Sequence, residues 1–285
     1  MSKPVREQPT DREAQSGAMM AELFEAVGFE ITDEDSYNLL VEDVEFNGQR
    51  SRVERQNAAL DGRCWKLGDG LEIWSVLYEH GAEVYYADCR PAFRSRYVRV
   101  LGPWELTEYQ EDGEAVVRGA IRGGPEIIFE LQNVTELSQS VFRESHLHIA
   151  LAGIAYSASV HPRGSKPEAA TEPRFELAEQ VAEFEEQACE NDYIVSGRVL
   201  AWRELQNPAT GSTLVWVYVD AGRIRVEVLA SRAALVGELS IGALVSANIW
   251  LQGHVLEEAD ITARYEGVDR SYETGEFWTR LRREN

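Results

Sequence analysis

The chain has 285 residues, 44% hydrophobic and 27% charged, the composition of a globular protein with one large domain or two ordinary ones. Its 49 acidic and 28 basic side chains leave a net charge of −21. That balance argues against a non-specific nucleic-acid coat, which needs Lys and Arg to neutralise phosphates, and against a basic anchor on anionic lipid.

Residues 1–17 are polar and aperiodic and read as a flexible leader. The segment 18–60 reads as helical. Met20, Leu23, Phe24 and Val27 recur at helical spacing and close on Gly28 as a left-handed cap. A second helix is expected after Thr32 as its cap, with Asp35 three positions on and an apolar stripe of Tyr37, Leu40, Val41 and Val44.

From about Arg63 the period becomes alternating, and 61–160 is expected as a first β module. Glu72 to Tyr78 leads through His80-Gly81 into Ala82 to Tyr86, an antiparallel hairpin by its turn chemistry. Further turns are expected at Asp69-Gly70, Asp112-Gly113, Gly123-Gly124, Thr210-Gly211 and Ala221-Gly222. Residues 161–192 read as a Pro-containing linker and an acidic amphipathic helix. Phe175, Leu177, Val181, Phe184 and Ala188 lie on one side, and Glu176, Glu179, Glu183, Glu185, Glu186 and Glu190 on the other. A second β module is expected over 193–260, followed by a C-terminal segment over 261–285. The acidity concentrates outside the β modules: residues 1–40 carry a net −6 and residues 172–192 a net −7.

The chain matches itself three times in order. Arg99 to Leu106 resembles Arg198 to Leu205, with Trp104 one place later in its copy than Trp202. Gly113 to Leu131 matches Gly211 to Leu229, and Ile149 to Ala155 matches Ile249 to Val255. Each copy runs strand, hairpin, an intervening segment expected to be helical in the second (Ala233 to Leu239), then a strand interrupted by Gly. This order resembles the OB-fold, a small five-stranded barrel, over about residues 97–160 and 194–258. The expected fold class is therefore mainly β (α+β overall): two related OB-like small barrels, an N-terminal helical segment and an acidic connecting helix. The resemblance implies a groove for an oligonucleotide, an oligosaccharide or a protein segment.

Candidate chemistry is sparse. His146-Leu147-His148 places two imidazoles on one face of a strand, but the matching Ser246 and Asn248 are plain polar residues, so an outward face is expected and no metal site. Cys64, Cys89 and Cys189 have no C-x-x-C spacing, which indicates neither a disulfide scaffold nor a zinc site. Cys64 and Cys89 read as small core residues. Glu105 and Glu204 follow the repeated Trp in both copies and read as serving the fold. No Walker, G-x-S-x-G or H-E-x-x-H string is present, and no cofactor is expected.

The single basic and aromatic stretch supplies the candidate binding residues Tyr85, Tyr86, Arg90, Arg94, Arg96 and Tyr97. Trp250 joins them as a residue one position off the buried face of its strand. The leading expectation is a non-catalytic, cytoplasmic binding or assembly protein without a membrane span, contacting a protein partner through the acidic helix or a barrel groove. The alternatives are recognition of single-stranded nucleic acid or an anionic glycan at residues 85–99, and an enzyme whose site leaves no linear signature.

Overall fold

The computed structural model describes residues 21–161, 172–181 and 189–257. The protein is mainly β, with two sheets and few helices. No helix among the described residues is long and apolar enough to cross a membrane.

Helix α1 covers residues 21–26 and ends at Gly28, whose φ of 87° supplies the left-handed turn. Its end is docked by Asn207, which donates to the Val27 carbonyl at 2.9 Å, and by Ser212, which donates to the Gly28 carbonyl at 2.9 Å. Helix α2 is Glu34–Asn47. Its cap is Asp33 rather than Thr32: the Asp33 carboxylate accepts from Ser36 N–H at 2.8 Å, and the Ser36 hydroxyl accepts from Asp33 N–H at 3.1 Å. A carboxylate is the stronger acceptor, and Ser36 at the third helical position closes the box.

Four strands, β1 (Gln49–Glu54), β2 (Ala59–Gly68), β3 (Leu71–His80) and β4 (Glu83–Phe93), form an antiparallel meander in that order. Asp69 and Gly70, with φ of 53° and 92°, make the β2–β3 turn. The hairpin around Gly81, placed within the first β module by its sequence, thus belongs to a separate sheet from the strands that follow Phe93. Strand β1 lies inside the segment expected to be helical, because Gln49 to Glu54 alternates in burial and pairs with β2.

The second sheet holds β5 (Val98–Tyr109), β6 (Glu114–Ile121), β7 (Glu126–Leu131), β8 (Leu147–His161), β9 (Arg174–Leu177), β10 (Asp192–Gln206), β11 (Thr213–Asp220), β12 (Arg225–Ser231), β13 (Leu235–Val236) and β14 (Leu244–Leu256). It closes into two rings. One ring is β5, β6, β7, β14, β8; the other is β10, β11, β12, β8, β14. Both therefore share the long β8–β14 ladder, which runs antiparallel from Leu244↔His161 to Leu256↔His148. The first half of β8 pairs antiparallel with β5, and its middle pairs parallel with β12. The first half of β14 pairs with β10, whereas Gln252 and Gly253 pair parallel with β7. With 15 and 13 residues, β8 and β14 are about twice an ordinary strand, long enough to serve both barrels.

Close approach at the shared ladder depends on glycine. A methyl at Gly153 would overlap the Ile249 side chain, and one at Gly253 would lie 2.6 Å from the Phe129 ring.

Two expected helices differ. Arg174–Leu177 is edge strand β9, pairing with β10 through Val195↔Phe175 and Tyr193↔Leu177. Glu176 points out between these two apolar residues, and the Phe175 ring stacks on Tyr193 at 4.4 Å. Such a short apolar run fits either period, and the free edge of β10 decides it. The remainder of that helix, including Phe184 and Ala188, lies outside the described residues, as do the leader 1–17 and the segment 261–285. In the second case, Ala233 to Leu239 is too short to sustain a helix and instead forms a turn and β13, which pairs parallel with β8.

The barrel interiors form one apolar cluster, including Leu101, Phe129, Val195, Val217 and Ile249. A second cluster lies between α1, α2, the four-stranded sheet and the outer face of the second barrel; it contains Phe24, Ile73, Phe93, Trp216 and Trp250.

Candidate functional site

The segment from Asp88 to Tyr97 straps the four-stranded sheet across both barrels. At one end the fully buried Arg90 donates to Gln132 Oε1 at 3.1 Å, to the Gly113 carbonyl at 3.1 Å and to Asp88, and lies 3.4 Å from Glu130. In the middle, Phe93 N–H donates to Gln252 Oε1 at 3.2 Å. At the other end Arg96 N–H donates to Glu227 at 3.0 Å, and its guanidinium sits 5.8 Å from the centre of the Trp216 ring. First barrel, central ladder and second barrel are engaged in turn.

Arg94 donates to Glu72 at 2.9 Å, and the same carboxylate meets His254 Nε2 at 3.0 Å and Trp74 Nε1 at 3.1 Å. Burial opposes ionisation of Glu72, but Arg94 and His254 outweigh it and hold its carboxyl well below the usual range. Around Arg90 the balance differs. Burial pushes Glu130 up, with Glu114 and Asp88 adding repulsion and Arg90 offsetting part of it. Burial likewise pushes up Glu114 and Asp88. One guanidinium here serves several carboxylates.

The candidate residues of the Arg/Tyr stretch thus separate. Arg90, Arg94 and Arg96 are committed to carboxylates, amides and rings of this chain. Tyr97 stacks on Tyr218 with ring centres 4.2 Å apart. Trp250 is only 4% exposed, within the cluster beneath the N-terminal layer, and its indole reaches Glu130. Tyr85 and Tyr86 alone face solvent, at 48% and 45% exposure, on the far end of β4. The Tyr86 hydroxyl is 2.7 Å from that of Tyr37. A run of arginines next to tyrosines looks like an anion-binding face in sequence; the fold turns Arg90 toward the buried Glu130 and Arg94 toward the buried Glu72.

His146 and His148 are both exposed, and no group of His, Cys, Asp or Glu among the described residues is arranged to hold a metal ion. Cys64 and Cys89 are buried, and burial pushes their thiols up, as it pushes Cys189 up to about 12. None is poised as a nucleophile.

An open site lies on the second barrel. The barrel interior is filled, with a void of only about 10 Å³ among Val195, Val215, Val217, Leu235 and their neighbours. Above it opens a cleft of about 220 Å³, lined by Trp202, Glu204, Val215, Arg232, Leu235, Gly237, Glu238 and Leu239. Strand alternation positions one wall: Trp202 and Glu204 are exposed on β10, while Leu205 is buried and Arg203 ion-pairs with Asp69 at 2.9 Å. The turn from Arg232 to Leu239 builds the other wall, tied to β8 by the bond from Ala158 N–H to the Ala234 carbonyl at 3.0 Å.

Trp202 is 39% exposed, and its counterpart Trp104 on the first barrel is 56% exposed. Each strand bulges near its Trp, at 103–105 in β5 and 199–201 in β10, and the different bulge positions accompany the one-place offset between the copies. Sequence matching flagged both Trp residues only as landmarks of the repeat. For Trp202 the available signal was its position on the same strand face as Glu204, with the alternate residue Leu205 buried. Comparison with family models, with curated proteins and with solved structures finds no match.

Proposed function

We propose that this chain is a non-catalytic binding or assembly protein that contacts a protein partner through the groove at the mouth of its second, OB-like barrel. The observation that carries this reading is Trp202: a large aromatic ring left 39% exposed over an open cleft of about 220 Å³. Tryptophan in a partly enclosed, apolar-floored cleft is the type of residue that anchors protein contacts. The floor here is Val215 and Leu235, continuous with the barrel core. The arginines that would favour a nucleic-acid or glycan reading are spent on Asp88, Glu72 and Gln132 within the chain.

Affinity capture from native lysate, with wild-type and Trp202→Ala protein side by side, tests the reading. A partner retained by the wild type and lost from the variant supports it. The same proteins retained by both would overturn the assignment to this groove.

A further inference from the structure

The geometry points to a cationic side chain, Arg or Lys from a basic stretch of the partner, as the occupant of the Trp202 cleft; this rests on the reading of that cleft as a protein-binding groove. Glu204 follows Trp202 by two residues on the same side of β10, and Glu238 lines the cleft from the Arg232–Leu239 turn. Neither carboxylate makes a hydrogen bond or ion pair among the described residues. Arg232, the one basic residue of the lining, donates to the Leu235 carbonyl at 2.9 Å.

The first barrel shows what this position does when a cation is present. Glu105, the sequence counterpart of Glu204, sits opposite Arg118 on the neighbouring strand and is ion-paired with it at 3.4 Å. Glu204 sits opposite Val215, so the cross-strand cation that Glu105 has is replaced by an apolar residue, and Arg232 of the same cleft is turned to the Leu235 carbonyl. An aromatic side chain beside two carboxylates without partners among the described residues favours an ammonium or guanidinium group. The net charge of −21 steers a basic segment toward the protein and opposes an anionic one.

The test is calorimetric titration of the full chain with a decapeptide of alternating Gly and Arg, against the same peptide with each Arg replaced by neutral citrulline. The Arg peptide is expected to bind at least about tenfold more tightly than the citrulline peptide. Trp202→Ala and the pair Glu204→Gln with Glu238→Gln should each weaken Arg-peptide binding by about fivefold or more, whereas Trp202→Tyr should retain most of it. Unchanged melting temperature would show that the variants remain folded. Equal binding of the two peptides, no binding of either, or Arg-peptide binding indifferent to these substitutions would each overturn the proposal. If the peptide fails but Trp202→Ala still loses a lysate partner, the cation is wrong and the groove stands. If Trp202→Ala loses nothing in either experiment, both readings fall.

Discussion

Ala152 and Gln252 lie directly opposite one another in the β8–β14 ladder, although sequence matching makes each the counterpart of the other. The pairings on either side of this pair correspond: β5–β8 and β10–β14 are both antiparallel, and β7–β14 and β12–β8 are both parallel. Glu227 pairs with Ala152 from one side and Glu130 with Gln252 from the other, so each ring is closed through a strand of the shared ladder.

Shared walls couple the barrels. Gly253→Ala places a methyl 2.6 Å from the Phe129 ring in the first barrel, on a strand that also walls the second. We expect a loss of about 1–3 kcal/mol. Chemical denaturation followed separately by fluorescence and circular dichroism should show one transition, shifted as a unit. A biphasic curve would mean that the barrels unfold independently.

Arg94 is a structural cation in this account. Removing it leaves Glu72 buried with His254 and Trp74 as its remaining partners, so Arg94→Ala should cost about 3–5 kcal/mol. Under conditions where the variant remains folded, capture of a partner at the second barrel should be unchanged. A variant of full stability that had lost binding would restore the Arg/Tyr stretch as the binding site.

Asp192 gives a pH signature. Burial pushes its carboxyl up to about 6, against hydrogen bonds from Cys189 N–H and the Tyr156 hydroxyl. A raised folded value means that its contribution is present in full below the unfolded value near 4 and is lost as pH rises through about 6. The stability of Asp192→Asn relative to wild type should therefore improve between pH 4 and pH 7, by about 2–3 kcal/mol. Urea midpoints at both pH values measure it; a difference independent of pH would show that this carboxyl is not perturbed.

Trp104 and Trp202 should be alike in stability and unlike in binding. Both are exposed, so either substitution to Ala should change stability by less than about 1 kcal/mol. Glu105 beside Trp104 is already matched by Arg118, and only Trp202→Ala should lose the partner. Equal losses from both substitutions would point to a two-site partner.

The legible parts of this chain are the local ones. His80-Gly81, Asp112-Gly113 and Ala221-Gly222 each join antiparallel neighbours, because turn geometry is encoded in the residues that make the turn. The pairing of β7 with β14 and of β12 with β8 joins residues about 75 to 120 apart, and no local pattern carries it. The same limit governs the candidate site. Arg90 and Arg94 read as a basic patch because Glu130 and Gln132, which meet Arg90, and His254, which meets Arg94's partner Glu72, arrive from distant parts of the chain. Trp202 was visible as a repeated residue, but the cleft it lines is completed by the Arg232–Leu239 turn, about 30 residues further along the chain.

The proposed occupant of the second barrel's cleft is a protein segment, which a covalent trap would capture. Val236, 70% exposed between two cleft-lining residues, is the place for a photo-reactive side chain; Tyr85, on the far end of the four-stranded sheet, is the control. Irradiation in native lysate should give a discrete protein adduct from position 236 that disappears when Trp202→Ala is added, with none from position 85. Adducts from position 85 alone, or adducts at 236 that persist in the Trp202→Ala background, would contradict the account.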